Sequence, residues 1–206
     1  NKYDNPEERI PIERCLVGFA STGGPPVLQT ILAGLPKNFP VPVLIVQHIA
    51  AGFLPGLVEW LSQTTGMQIH VAAYDMQPLP GHAYIAPDDF HMTVGAGLRL
   101  VLSKEQPDNG LRPSVASLFR SLAEICGRHA AGVLLTGMGK DGAEELRLMR
   151  KRGACTIAQD RETSVVHGMP GTAIALDAAT MVLPADKIAS ALIAMVHQRS
   201  HKGEQP

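Results

Sequence analysis

The chain has 206 residues, 18 Lys+Arg against 19 Asp+Glu, and a formal net charge of −1. Hydrophobic residues make up 45% and charged residues 18%, which fills one sizeable core and argues against a disordered chain. The near-neutral balance, with no basic patch interleaved with aromatics, argues against a nucleic-acid partner. No window approaches ~20 consecutive apolar residues, so no membrane-spanning helix is expected.

Residues 1–14 are polar and charged, carry Pro6 and Pro11, and read as a linker or N-terminal arm. A regular alternation follows. Residues 15–20 form a short apolar run, and 27–35 have helical spacing at Val27, Leu28, Ile31, Leu32 and Leu35. Strand-like runs at 43–47 and 68–72 flank a helical stretch at 53–62. Residues 82–86 read as a strand, and 91–94 with 99–102 as a β-hairpin around Gly95-Ala96-Gly97. Ser114 is a good N-cap for a helix running to Cys126. The continuous apolar run at 131–135 suits a strand covered on both faces. A helix at 142–151, a strand at 154–159, a short helix at 170–176, a strand at 181–183 and an amphipathic helix at 185–198 complete the pattern. Residues 199–206 read as a tail. Strand–helix alternation of this kind predicts an α/β fold: a doubly wound, mostly parallel sheet flanked by helices, with an antiparallel hairpin.

Cys15, Cys126 and Cys155 are odd in number and form no C-x-x-C pair, which favours buried thiols in a reducing cytosol. None of the eight histidines makes H-x-x-x-H or pairs with Cys at a zinc-like interval, so no metal site is expected. His70, His82 and His91 read as packing or surface residues.

Ligands of open α/β sheets bind beyond the carboxyl ends of the strands. Three chemically capable residues fall there: Ser21 after the first run, His48 after the second, and Asp141 after the run ending at Leu135. A serine becomes nucleophilic when a base takes its proton, and that base needs a third group to hold its tautomer. Ser21, His48 and Asp141 can fill these roles. The amide of Thr22 is expected at the start of the following helix, where it would serve as an oxyanion donor. Each residue also has a plain reading: Ser21 as a loop or cap residue, His48 as a core histidine, Asp141 as a helix N-terminal charge. A rival lies in the same loop. Gly137-x-Gly139-x-x-Gly142 follows a strand and opens a helix, and Asp160 stands at the distance of a ribose-binding acid, as in a dinucleotide-binding unit.

The segments Val17-Gly18-Phe19-Ala20-Ser21-Thr22-Gly23-Gly24-Pro25, Val46-Gln47-His48-Ile49-Ala50-Ala51-Gly52-Phe53 and Leu135-Thr136-Gly137-Met138-Gly139-Lys140-Asp141-Gly142 resemble the serine, histidine and aspartate segments of CheB-type chemotaxis methylesterases. Further motifs follow the family order: Pro80-Gly81-His82-Ala83-Tyr84-Ile85-Ala86-Pro87, Arg112-Pro113-Ser114-Val115 and Gly168-Met169-Pro170. The resemblance implies a catalytic domain over 15–198. It would hydrolyse methyl esters of glutamate side chains on the cytoplasmic region of chemoreceptors, with glutamine deamidation in some members. It implies Ser21, His48 and Asp141 as triad and the backbone amides of Thr22 and Met138 as oxyanion donors. Arg112 and His167 become candidates for contacting substrate, and no cofactor or metal is implied. It also implies a cytoplasmic protein, with a receiver domain as a partner outside this chain. Leu111, Ala116 and His167 depart from residues usual in the family. They raise a second reading: a weakly active or inactive docking domain.

Overall fold

The structure is a computed structural model that describes residues 16–22 and 25–203, so the expected arm at 1–14 lies outside the described residues. The strands are β1 (Leu16–Thr22), β2 (Val43–His48), β3 (Gln68–Val71), β4 (His82–Ile85), β5 (His91–Val94), β6 (Leu100–Ser103), β7 (Ala130–Leu134), β8 (Cys155–Gln159) and β9 (Met181–Leu183). The α-helices are α1 (Pro25–Gly34), α2 (Leu54–Thr65), α3 (Val115–Ile125), α4 (Ala143–Lys151), α5 (Met169–Ala175) and α6 (Ala185–Gly203). Seven strands form a parallel sheet in the order β3-β4-β2-β1-β7-β8-β9, and β5 pairs antiparallel with β6. The doubly wound sheet with its hairpin is the architecture expected from the alternation of apolar runs. No helix among the described residues is long and apolar enough to cross a membrane.

Two differences at element ends matter. Strand β1 runs on to Thr22, which pairs with His48, while Ser21 pairs with Gln47. Helix α1 then opens on Pro25 and Pro26, which carry no N–H. Thr22 therefore closes a strand shortly before α1 opens. At the other terminus, α6 continues past Gln198 to Gly203, into the segment read as a tail.

The sheet is buried on both faces, and the two-residue period of its strands sorts side chains between two cores. Val43 and Ile45 of β2 join Ile31, Leu61 and Ile188 in the core under α1, α2 and α6. Their neighbours Leu44 and Val46 join Phe119, Leu122, Leu146 and Met149 in the core under α3 and α4. The second core is close-packed because two glycines lie side by side in its floor. Gly18 of β1 and Gly132 of β7 are register partners. A Cβ on Gly18 would come within 2.7 Å of Leu122, and one on Gly132 within 2.7 Å of Leu146. Helices α3 and α4 thus settle directly onto the central strands. The hairpin β5–β6 packs on α3 through Met92, Val94 and Leu100.

Chain order reverses at β1. From it the chain moves to β2, out to the edge strand β3 and back to β4 between them, then crosses to β7 on the opposite side. The carboxyl ends of β2, β1 and β7 form the crevice that such a reversal opens.

At the β3 edge, His70 and His82 meet through their ring nitrogens, Nε2 to Nδ1, at 2.9 Å, with His70 stacked on Tyr84. The contact holds one proton between two rings. Burial, reinforced by the charge of His82, depresses the His70 pKa. A depressed histidine contributes stability that is complete above its unfolded value and is lost as pH falls through the folded one. Thermal stability should therefore decline as pH drops below about 6.5, and His82→Phe should flatten that decline. Melting temperatures of both proteins across this range provide the check.

Candidate active site

Ser21 and His48 belong to the last residues of the adjacent strands β1 and β2. Asp141 comes from the loop between β7 and α4, on the other side of β1. The three expected residues therefore converge on one sheet edge from three neighbouring central strands. His48 Nε2 lies 3.1 Å from Asp141 Oδ2. The plain reading of Asp141 as a charge serving its own helix is corrected by its contacts. Its Oδ2 accepts the Val115 N–H at 2.8 Å and its Oδ1 the Ala116 N–H at 3.1 Å. These are the first two amides of α3, a helix Asp141 does not precede.

That arrangement has a clear electrostatic logic. The first amides of a helix have no intrahelical acceptor and carry the positive end of its dipole. Asp141 is only 8% exposed, so α3 stands in for the water the carboxylate has lost. The remaining group on the carboxylate is the imidazole of His48. Gly142 makes the approach feasible. It adopts φ +85°, and a side chain there would collide with Val115, the donor to Asp141.

The N-terminus of α3 is itself braced. Ser114 caps it, accepting the Ser117 N–H at 3.0 Å, as expected from the sequence. Asp108 accepts the hydroxyls of Ser114 and Ser117 at 2.5 and 2.6 Å. Burial pushes the Asp108 carboxyl up, but those two hydroxyls, helped by the charge of Arg120, hold it below the usual range. His91, buried, accepts the Ser114 N–H at its Nδ1 and donates from Nε2 to Gln106 O. On the α4 side, burial raises the Glu145 pKa; the Asp141 and Asp108 charges push the same way, and Arg120 opposes them at 3.8 Å. None of Asp108, His91 or Glu145 stood out in the sequence. Only the N-cap signal at Ser114 pointed toward this cluster.

Met138 lies in the same loop and is 74% exposed. Arg112 is engaged elsewhere. Its Nε and Nη2 donate to Asp89 at 3.0 and 2.7 Å, and Nη1 donates to the carbonyls of Lys104 and Glu105. These bonds brace the 104–113 loop. His167 is turned inward: its Nε2–H donates to Gln159 O at 3.1 Å, and its Nδ1 is buried. It supports the rim and presents no ring nitrogen outward. The departure at Ala116 is silent for the triad, because Ala116 acts through its backbone amide. Leu111 closes a tight turn with Asp108 through two backbone hydrogen bonds.

The dinucleotide reading of the glycine loop does not suit these contacts. Gly137 donates its N–H to Val166 O and accepts the Met169 N–H, so neither group faces a ligand. Asp160 accepts from the Thr163 amide and hydroxyl, closing its own turn. Among the described residues, no group of three or more His, Cys, Asp or Glu side chains could hold a metal ion.

Comparison with known proteins identifies the family. Residues 16–192 match the family model described as CheB methylesterase. The chain is 53% identical over 191 residues to a protein-glutamate methylesterase/protein-glutamine glutaminase of Nitrosospira multiformis, covering 93% of this chain and 54% of that protein. It is 56% identical over 181 residues to a second protein of that name from Geobacter metallireducens, covering 87% and 52%. The chain thus spans about half the length of these relatives. The crystal structure of the Thermotoga maritima CheB methylesterase catalytic domain superposes with a TM-score of 0.85 at 39% identity, covering 88% of this chain and 98% of that one. By sequence and by fold, the chain belongs to the CheB methylesterase family.

Proposed function

We propose that this chain is the catalytic unit of a protein-glutamate methylesterase, acting on methylated glutamate side chains in the cytoplasmic region of chemoreceptors. In this reading it works in the cytoplasm, with a receiver domain outside this chain as its partner. The observation that carries the reading is the buried His48–Asp141 contact at 3.1 Å, set at the strand end beside Ser21. A structural histidine needs no carboxylate solvated by the terminus of a distant helix. A base that becomes a cation during the reaction does.

The steps follow from that geometry. Ser21 Oγ attacks the ester carbonyl while His48 takes its proton. The Nε2 edge of the ring meets Asp141, so Nδ1 is the accepting nitrogen, and Asp141 stabilises the imidazolium. The amides of Thr22 and Met138 bind the developing oxyanion. Collapse of the tetrahedral intermediate expels methanol, which leaves with the proton from His48, and an ester joins the substrate carbonyl to Ser21. Water, deprotonated by His48, attacks that ester, and the glutamate carboxylate departs as Ser21 regains its proton. A glutamine side chain would follow the same path with ammonia as the leaving group. This accords with the paired activities in the relatives' names.

Ser21→Ala should lower methanol release from a methylated receptor fragment by roughly 10^3-fold or more with the fold intact. Release at the wild-type rate by the folded variant would remove the nucleophile, and the reading with it. His48→Gln should produce a comparable loss. Asp141→Asn keeps the shape but not the charge, so KM should hold while kcat falls roughly 10^3-fold or more. Because a triad acts as a unit, adding Asp141→Asn to Ser21→Ala should cost little further activity. If the two losses multiplied in full, Asp141 would be acting apart from Ser21.

A further inference from the structure

The loop carrying Met138 and Asp141 is held by a buried side chain that the reaction steps do not use. Gln159, the last residue of β8, is 0% exposed. Its Oε1 accepts the Thr136 N–H at 2.7 Å. Its Nε2 donates to Thr163 O at 2.9 Å and to Thr163 Oγ1 at 3.1 Å. One amide group thus bonds the start of the β7–α4 loop on one side and the segment after β8 on the other. A neutral side chain that accepts and donates at once suits this position: an ionised carboxylate has no donor, and an apolar chain has neither.

The two segments it joins are stitched along their length. The Val166 N–H donates to Thr136 Oγ1 at 2.9 Å, and that hydroxyl donates to Val166 O at 3.1 Å. The Gly137 N–H donates to Val166 O, and the Met169 N–H to Gly137 O, both at 2.9 Å. Gly168 lies so close that a Cβ would come within 2.8 Å of Gly137 O and 2.9 Å of Gly139 N. His167 completes the strap through its bond to Gln159 O. Residues 163–169 therefore run as a strap beside 136–139, with Gln159 behind both.

We propose that Gln159 is a positioning residue for the hydrolysis: by tying Thr136 to the 163–169 strap it sets where the Met138 amide and the Asp141 carboxylate stand at the sheet edge. An oxyanion donor works only at hydrogen-bond distance from where charge develops, and a displacement of about 1 Å can cost around a hundredfold in rate. The Gln159 side chain bonds to Thr136 and Thr163, so its effect belongs in the chemical step and not in docking.

The kinetic part of the test rests on the hydrolase reading above; amide exchange at Gly137 does not. In the full chain, Gln159→Met should lower kcat for methyl-ester hydrolysis by about tenfold or more while KM changes less than about threefold. The same variant should speed hydrogen exchange at the Gly137 amide by about tenfold or more. If Gln159→Met does not fold, Gln159→Glu carries the test: it keeps the acceptor toward the Thr136 N–H, loses both donors toward Thr163, and should show the same split. A folded variant with kcat within about twofold of wild type, a loss confined to KM, or unchanged Gly137 exchange would overturn the proposal. Wild-type turnover in Ser21→Ala would instead defeat the hydrolase reading, and the exchange measurement would still decide whether Gln159 holds the loop.

Discussion

A carboxylate excluded from water needs substitutes for its hydration, and the rest of this site is arranged around that need. Asp141 finds them in the first two amides of α3, which also supply the positive end of the helix dipole. Once those bonds are made, the carboxylate has a fixed position and Oδ2 faces His48. The dependence runs outward from there. Helix α3 must end at the sheet edge at the right height, so its N-terminus is capped by Ser114 and braced by Asp108 and His91. It must also lie low on the sheet, and the glycine pair Gly18 and Gly132 permits that approach for α3 and α4 together. A residue in β1 thereby serves the geometry of a side chain in the loop after β7.

The same economy explains the hydrogen bonds of the neighbouring loops. Loops at the carboxyl edge carry the chemistry, yet loops are the least constrained parts of a fold. Here they are fastened by side chains to adjacent segments. Gln159 and Thr136 join the β7–α4 loop to the 163–169 strap. Asp88 accepts the Gly52 N–H at 3.1 Å, and Arg112 joins Asp89 to the carbonyls of the 104–105 segment. Rigidity at the edge is built from these local bonds and does not require a lid.

Much of the fold was legible because apolar runs and turn residues alternate with little ambiguity. Strand β7 is buried throughout and β2 along all but its last residue, so each reads as a continuous apolar run, and the strand β9 and the N-cap Ser114 fall where the sequence places them. Element ends were less legible. The extension of β1 through Thr22 depends on pairing with His48, which no local pattern encodes. The site showed a similar division. Ser21, His48 and Asp141 could be picked out as polar residues at strand ends. Arg112 and His167 could be named from motif positions, but a motif says nothing of which carbonyl or carboxylate occupies a side chain.

What the sequence by itself determined is the set of chemical parts and the edge on which they gather: strand-end residues share a face of an open α/β sheet whatever the details of packing. It also set the turn chemistry at Gly142, since a positive φ beside Asp141 calls for glycine. Only the tertiary structure decided that Asp141 serves α3 and not the helix it precedes. It alone showed that Arg112 is engaged with Asp89 and that Gln159 spans two loops. The physical reason is separation along the chain. Asp141 and Ala116 are 25 residues apart, and Gln159 and Thr136 are 23 apart. Contacts of that range follow from how helices settle on a sheet, and periodicity, a property of neighbours, carries no information about them.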